Sequence, residues 1–255
     1  MKYVLLTLLL LAGTTATAQT MSGRDKWADS ARVAIETANR QGDLTQLREA
    51  AALVERALTA FPDDPLLLHY LGYARYREAT LMQGKKHDSK EYRSLLEAAD
   101  SLLERSASKL QLAETYALRS SVLGQLIGSN PLRGMTLGPP SSAAMERAVE
   151  LGPNNPRVWL LRGIGAMFTP SIFGGGLDKA EEYLTKALAL FPNDNPAPAM
   201  PAWGHAEAYI WIGQLHKRRN RIDDARQAYT RALELEPENG WVKHVLLPAL
   251  DRAKS

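Results

Sequence analysis

The chain has 255 residues and a mass of 28.1 kDa, with 45% hydrophobic and 23% charged residues, which excludes a disordered chain. Lys plus Arg number 31 against 28 for Asp plus Glu, a net charge of only +3 without any basic run of five or more, so nucleic-acid binding is not expected. Cysteine is absent, which excludes disulfides, thiolate metal sites, Cys nucleophiles and a lipid-modified Cys.

The first residues read as an export signal. Met1-Lys2-Tyr3 is a short basic start, Val4 to Ala12 is almost unbroken aliphatic, and Ala16-Thr17-Ala18 offers a small-residue cleavage site before Gln19. An apolar run this short is about half of the ~20 residues a membrane span needs. The expectation is a cleaved signal peptide over 1–18 and a mature chain over 19–255, periplasmic or secreted, with no stable membrane span.

Helical patterns punctuated by Pro and Gly run along the mature chain, and the helix-hairpin frame of the repeat that residues 206–239 resemble divides them into ten helices in five pairs. They are Arg24–Gln41 with Leu44–Phe61, Pro65–Gln83 with Lys90–Lys109, Leu112–Gly128 with Ser141–Leu151, Pro156–Phe168 with Leu177–Phe191, and His205–Asn220 with Ile222–Glu236. No alternating β-branched run suggests a strand. A phrase ending in Pro closes four of the second helices: Ala57 to Pro62, Ala148 to Pro153, Ala187 to Pro192 and Ala232 to Pro237. Its Ala permits close helix approach, and its Pro stops the helix. Gly72 and Gly163 each lie ten residues beyond such a Pro, inside apolar helices. A helix-interior Gly costs ~1 kcal/mol against Ala, so a neighbouring helix is expected to press on each.

Between the helices, Gly84 to Ser89 reads as a solvated basic loop and Ser129 to Pro140 as a longer, less polar one. Thr169 to Gly176 carries Ile172 and Phe173 ahead of three glycines, and Asn193 to Trp203 carries three prolines and should be extended. After Gly240 a terminal helix is expected to lay Trp241, Val245 and Leu246 on the last pair, kinked or split at Pro248.

The segment Ala206 to Asn239 resembles a single tetratricopeptide repeat, through Tyr209, Ile212, Gly213, Ala225, Tyr229, Ala232 and Pro237 at that repeat's spacings, with His216 where Tyr is usual. The same frame covers the mature chain more loosely. With Ala57, Ser106, Ala148, Ala187 and Ala232 as markers, the periods are 49, 42, 39 and 45, so each unit of the 34-residue family repeat carries an insertion. The resemblance implies an all-α, right-handed α-solenoid of about five helix pairs with a capping helix over 240–254. The Thr169–Asp178 stretch also resembles a feature of exported bacterial repeat proteins, including the repeat subunits of tripartite periplasmic transporters.

No catalytic constellation emerges. Gly174-Gly175-Gly176 is not followed by the Gly-Lys-Ser/Thr of a phosphate loop, no Gly-x-Ser-x-Gly occurs, and the five histidines lack metal-ligand spacing. The expectation is a non-enzymatic protein without cofactor or metal. In the repeat family, ligands lie against the first helix of each pair on the concave side. Carried over residue by residue, this implies partner contacts at Tyr73, Tyr76, Arg77, Arg157, Leu160, Met167, Phe168, Gln214, Lys217 and Arg218. The mixture suits a protein or peptide partner, with Arg and Lys for carboxylates. The alternative is a small solute bound for a periplasmic transport system, favoured if the insertions close the groove into a pocket.

Overall fold

The computed structural model describes residues 21–86 and 89–252. The expected signal peptide, residues 87–88 of the basic loop and the last three residues lie outside them. Among the described residues the secondary structure is entirely helical. The five pairs are α1 (Gly23–Gln41) with α2 (Leu44–Ala60), α3 (Pro65–Lys86) with α4 (Lys90–Lys109), α5 (Ala113–Ser129) with α6 (Gly134–Leu151), α7 (Pro156–Phe168) with α8 (Leu177–Leu190), and α9 (His205–Arg218) with α10 (Ile222–Leu235). A π-helical turn at Val242–Leu246 and α11 (Leu247–Arg252) follow.

Local chemistry sets the boundaries. Ser22, Asp43 and Ser89 accept backbone N–H groups at the starts of α1, α2 and α4, satisfying donors that the helix itself leaves unpaired. Asn155 does the same for α7, where Pro156 takes the first helical position and needs no partner. Gly42, at φ 68°, closes α1 in the left-handed region.

Each pair packs face to face, and successive first helices lie side by side as the inner layer of an arch. The helix-interior glycines are where the paired helices touch. A Cβ on Gly72 would lie 2.8 Å from Leu103 Cγ, one on Gly163 would lie 2.7 Å from Leu184 Cγ, and one on Gly213 would meet the Tyr229 ring. Leu103, Leu184 and Tyr229 are fully buried, each contributing on the order of 2 kcal/mol by leaving water.

Three predicted segments differ. Helix α3 continues through Gly84 and Lys85 to Lys86, so the basic loop is shorter than expected. Most of the predicted Ser129–Pro140 loop is helix: after a 3-10 turn at Pro131–Arg133, α6 starts at Gly134 and runs through Pro139 and Pro140. The prolines remove two intrahelical donors. Leu137 nevertheless packs on the core in register with Ala144 and Ala148, so apolar burial extends the helix backward. The C-terminal element does not split at Pro248: it stays helical from residue 240 to Arg252, and the π turn at Val242–Leu246 precedes the proline, which lies inside α11. Its buried face is Val242, Leu246 and Leu250, whereas Trp241 and Val245 face outward. The wider turn rotates the apolar stripe away from the helical register assumed in the sequence.

Candidate functional site

The insertion between α8 and α9 turns into the arch and fills it. Arg157, at the start of α7, anchors its beginning: Nε donates to Glu114 Oε1 at 3.1 Å, and Nη1 and Nη2 donate to Asp194 at 2.6 and 2.8 Å. Further along, Tyr70 Oη donates to the Ala199 carbonyl at 2.6 Å. Trp203 stacks on Tyr73 with ring centres 5.1 Å apart.

Arg77 stands behind that stack. Its Nε donates to Tyr73 Oη at 2.9 Å, and its two terminal nitrogens grip Glu207 of α9 at 3.0 and 2.6 Å. The guanidinium lies 4.9 Å from the centre of the Tyr73 ring and 5.3 Å from that of Trp203. Tyr73 in turn donates its hydroxyl to Glu36 of α1. One chain of hydrogen bonds therefore runs from the first helix through α3 to the last pair. Gly240 also lies against the Gln41 carbonyl, so the two ends of the solenoid meet.

Burial shifts the titration of this interior. It raises the Glu36 carboxyl to about 7, against the opposing pull of Arg77 and the Tyr73 hydrogen bond. It lowers His69 to about 3, helped by the charge on Arg157. His69 is thus neutral, with Nδ1 2.9 Å from Thr115 Oγ1. Arg77 stays charged because Glu207 offsets its desolvation.

Of the ten residues expected to meet a partner, Tyr73, Tyr76, Arg77, Arg157, Leu160 and Met167 are buried. The structure brings Tyr73, Arg77, Arg157 and Leu160 together with the insertion, as core rather than as groove wall, and Tyr76 lies against Arg77. The insertion's Asp194 and Trp203 supply the partners that an external ligand was expected to supply. Their seating depends on a chain path the periodicity of the helices does not encode.

Phe168, Gln214, Lys217 and Arg218 remain at the surface, and two tryptophans join them. Phe168, 59% exposed, meets Trp211 edge-on at 5.9 Å, and Trp211 meets Trp241 edge-on at 6.2 Å. The Arg218 guanidinium sits 4.4 Å over the Phe168 ring while its Nη1 donates to the Met167 carbonyl at 2.9 Å. Trp211 is held from behind through its indole N–H, 3.4 Å from Glu207 Oε1. The result is a platform of three aromatic side chains from α7, α9 and the cap, with Lys217 and Arg218 at one end. Trp211 and Trp241 escaped the carried-over frame. The first lies four residues after Glu207 on the same face, and the second was expected in the core.

Outside the arch, a cleft of about 340 Å³ separates α8 from α10, floored by Leu188, Tyr209, Ile212 and Ala228 and edged by Asp224, Gln227 and Arg231. The corresponding cleft one repeat earlier is filled. Tyr183 stands where the last pair has Ala228, with Arg162 over its ring at 4.6 Å and Lys186 over Trp159 at 3.5 Å. Among the described residues no group of three or more His, Asp or Glu is placed to hold a metal, and no helix is long and apolar enough to cross a membrane.

A family model for the tetratricopeptide repeat matches residues 206–239, which are α9, α10 and the turn after them. This segment is a tetratricopeptide repeat. The other pairs share the architecture of that repeat with longer connections. Two solved structures carry the same fold. The HusA haemophore from Porphyromonas gingivalis aligns with a TM-score of 0.62 at 24% identity, over 78% of this chain and 96% of its own. A thermophilic tetratricopeptide repeat protein of Thermus thermophilus, TTC0263, aligns with a TM-score of 0.61 at 22% identity, over 88% of this chain and 98% of its own. Comparison with curated proteins finds no match.

Proposed function

We propose that this chain is an exported, non-enzymatic scaffold that holds a protein or peptide segment on the platform formed by Phe168, Trp211 and Trp241. Gln214, Lys217 and Arg218 supply its polar contacts, and the basic pair reads a carboxylate on the partner. The observation that carries the reading is the aromatic run left open across α7, α9 and the cap, while the rest of the inner surface is filled. Exposed Trp and Phe with an adjacent Arg are the residue types that dominate binding energy at protein interfaces. A repeat architecture used for protein partners supports the same class. The layout of residues 1–18 supports export of the mature 19–255 domain to the periplasm or beyond the cell. The small-solute alternative loses its motive, because the insertion fills the groove with packed side chains instead of roofing a pocket.

The test is photo-crosslinking in the native cell envelope from a probe at Gln214, with a control probe at Thr230 on the outer face of α10. The partner identified from Gln214 is then purified and titrated by calorimetry. Phe168→Ala, Trp211→Ala and Trp241→Ala together should weaken it at least roughly a hundredfold. Equal affinity for this triple variant and the wild type would eliminate the platform as the site.

A further inference from the structure

The most exposed large apolar side chains among the described residues belong to two neighbouring turns. Leu132 and Met135 are 84% and 88% exposed at the turn between α5 and α6, and Ile172 and Phe173 are 83% and 74% exposed at the turn between α7 and α8. Both pairs are antiparallel hairpins, and α5 lies against α7, so the two turns emerge at the same end. The turn after α9 joins them. Arg218 reaches the Met167 carbonyl at the end of α7, and Arg221 reaches Glu181 near the start of α8 at 2.6 Å.

Ion pairs within the chain hold several carboxylates of this edge, Glu97 with Arg133, Asp178 with Arg219, and Glu181 with Arg219 and Arg221, while Asp224 in the first turn of α10 is in no ion pair among the described residues. Lys217 and Arg218 are exposed, and among the described residues neither has a carboxylate within ion-pair distance. Four protruding apolar side chains thus stand beside two cations that are in no ion pair among the described residues.

We propose that this edge is a membrane-docking surface, laying Leu132, Met135, Ile172 and Phe173 into the interfacial region of an anionic bilayer while Lys217 and Arg218 meet lipid phosphates. The shape favours lipid over a folded partner. Leu132, Ile172 and Phe173 project from two 3-10 turns and Met135 from the first turn of α6, so a protein would need a matching pocket for each, whereas a fluid bilayer needs none. No described helix is long and apolar enough to cross a membrane. A few apolar side chains alone bind a bilayer marginally, and nearby cations add to the attraction when the lipid is anionic. Lys217 and Arg218 are shared with the platform, but the four apolar residues are not part of it, and vesicle binding needs no protein partner.

The experiment is sedimentation of the mature protein with vesicles of equal parts phosphatidylcholine and phosphatidylglycerol, with pure phosphatidylcholine vesicles alongside. Binding is expected to the anionic vesicles, to be weaker on pure phosphatidylcholine, and to fall with added salt. Ile172→Ser with Phe173→Ser should lower partitioning roughly tenfold or more, and Leu132→Ser with Met135→Ser should do likewise. Leu235→Ser, at the opposite end of the hairpins, should change nothing. These positions are exposed, and matching thermal melts will establish that each variant is folded. Absence of vesicle binding would overturn the proposal, as would equal binding by both double variants and the wild type, or equal binding to both vesicle types. Concentration-dependent self-association, abolished by either double variant in a protein that ignores vesicles, would assign the edge to a second copy of the chain and overturn it as well.

Discussion

Replacing Arg77 by Met should unlock the interior of the arch. The guanidinium makes three hydrogen bonds, one to Tyr73 and two to Glu207, and lies against the Tyr73 and Trp203 rings. Its side chain is 3% exposed, so solvent cannot replace what is lost. Met fills most of the volume but leaves Glu207 without its cation and Glu36 without the charge that opposes its protonation. Breaking one side of a buried pair costs about 3–5 kcal/mol. For a chain of this size that corresponds to a fall in melting temperature of roughly 6–20 °C. The loss should concentrate where α1, α3 and α9 meet, since interactions in a solenoid are otherwise between neighbours. Hydrogen exchange should therefore show faster opening of α1 and of the 194–204 insertion. Adding Glu207→Leu to Arg77→Met should recover most of the stability, because an apolar pair of similar volume often equals or exceeds a buried ion pair. A single-variant loss under ~1 kcal/mol in urea denaturation, or a double variant no better than the single, would refute the claim that this pair closes the arch.

Gly163→Ala should destabilise by ~1–3 kcal/mol despite better helix propensity, because the new Cβ would lie 2.7 Å from Leu184 Cγ and 3.1 Å from the Leu184 backbone nitrogen. Gly124→Ala, with open space around its position in α5, should stabilise by ~0.5–1 kcal/mol in the same denaturation assay. The acid side of the stability profile should show two opposing titrations. Glu36 binds its proton more tightly in the folded chain, at about 7 against an ordinary 4.5, so its contribution is greatest at low pH and is lost as pH rises to about 7. His69 is neutral when folded, at about 3 against 6.5, so its contribution is present above 6.5 and is lost as pH falls toward 3. The two slopes offset each other between 4.5 and 6.5, and Glu36→Gln, which keeps an acceptor for Tyr73, should expose a stability that rises with pH across that window. Melts of this variant that stay flat there would show that His69 does not carry the opposing slope. N-terminal sequencing of the mature product should begin at or near Gln19, and recovery of Met1 would exclude signal cleavage.

The helix-hairpin plan was legible from residue spacing because its determinants are local. Caps such as Asp43, prolines such as Pro62 and Pro192, and the glycines at 72, 163 and 213 act within one helix or one pair, and periodicity records them directly. The 206–239 repeat was recognisable for the same reason. Which face of the arch remains open was not local information. Arg77 and Glu207 are 130 residues apart, Tyr70 and Ala199 are 129 apart, and nothing in either helix indicates that a proline-rich insertion will return between them. An Arg on an inner face reads the same in sequence whether its carboxylate belongs to a partner or to the chain itself. Tertiary structure decided that by bringing Glu114, Asp194 and Glu207 to Arg157 and Arg77. It also decided the complementary point: Trp241, expected on the last pair, is exposed and meets the half-buried Trp211 edge-on, because the cap buries Val242, Leu246 and Leu250 instead.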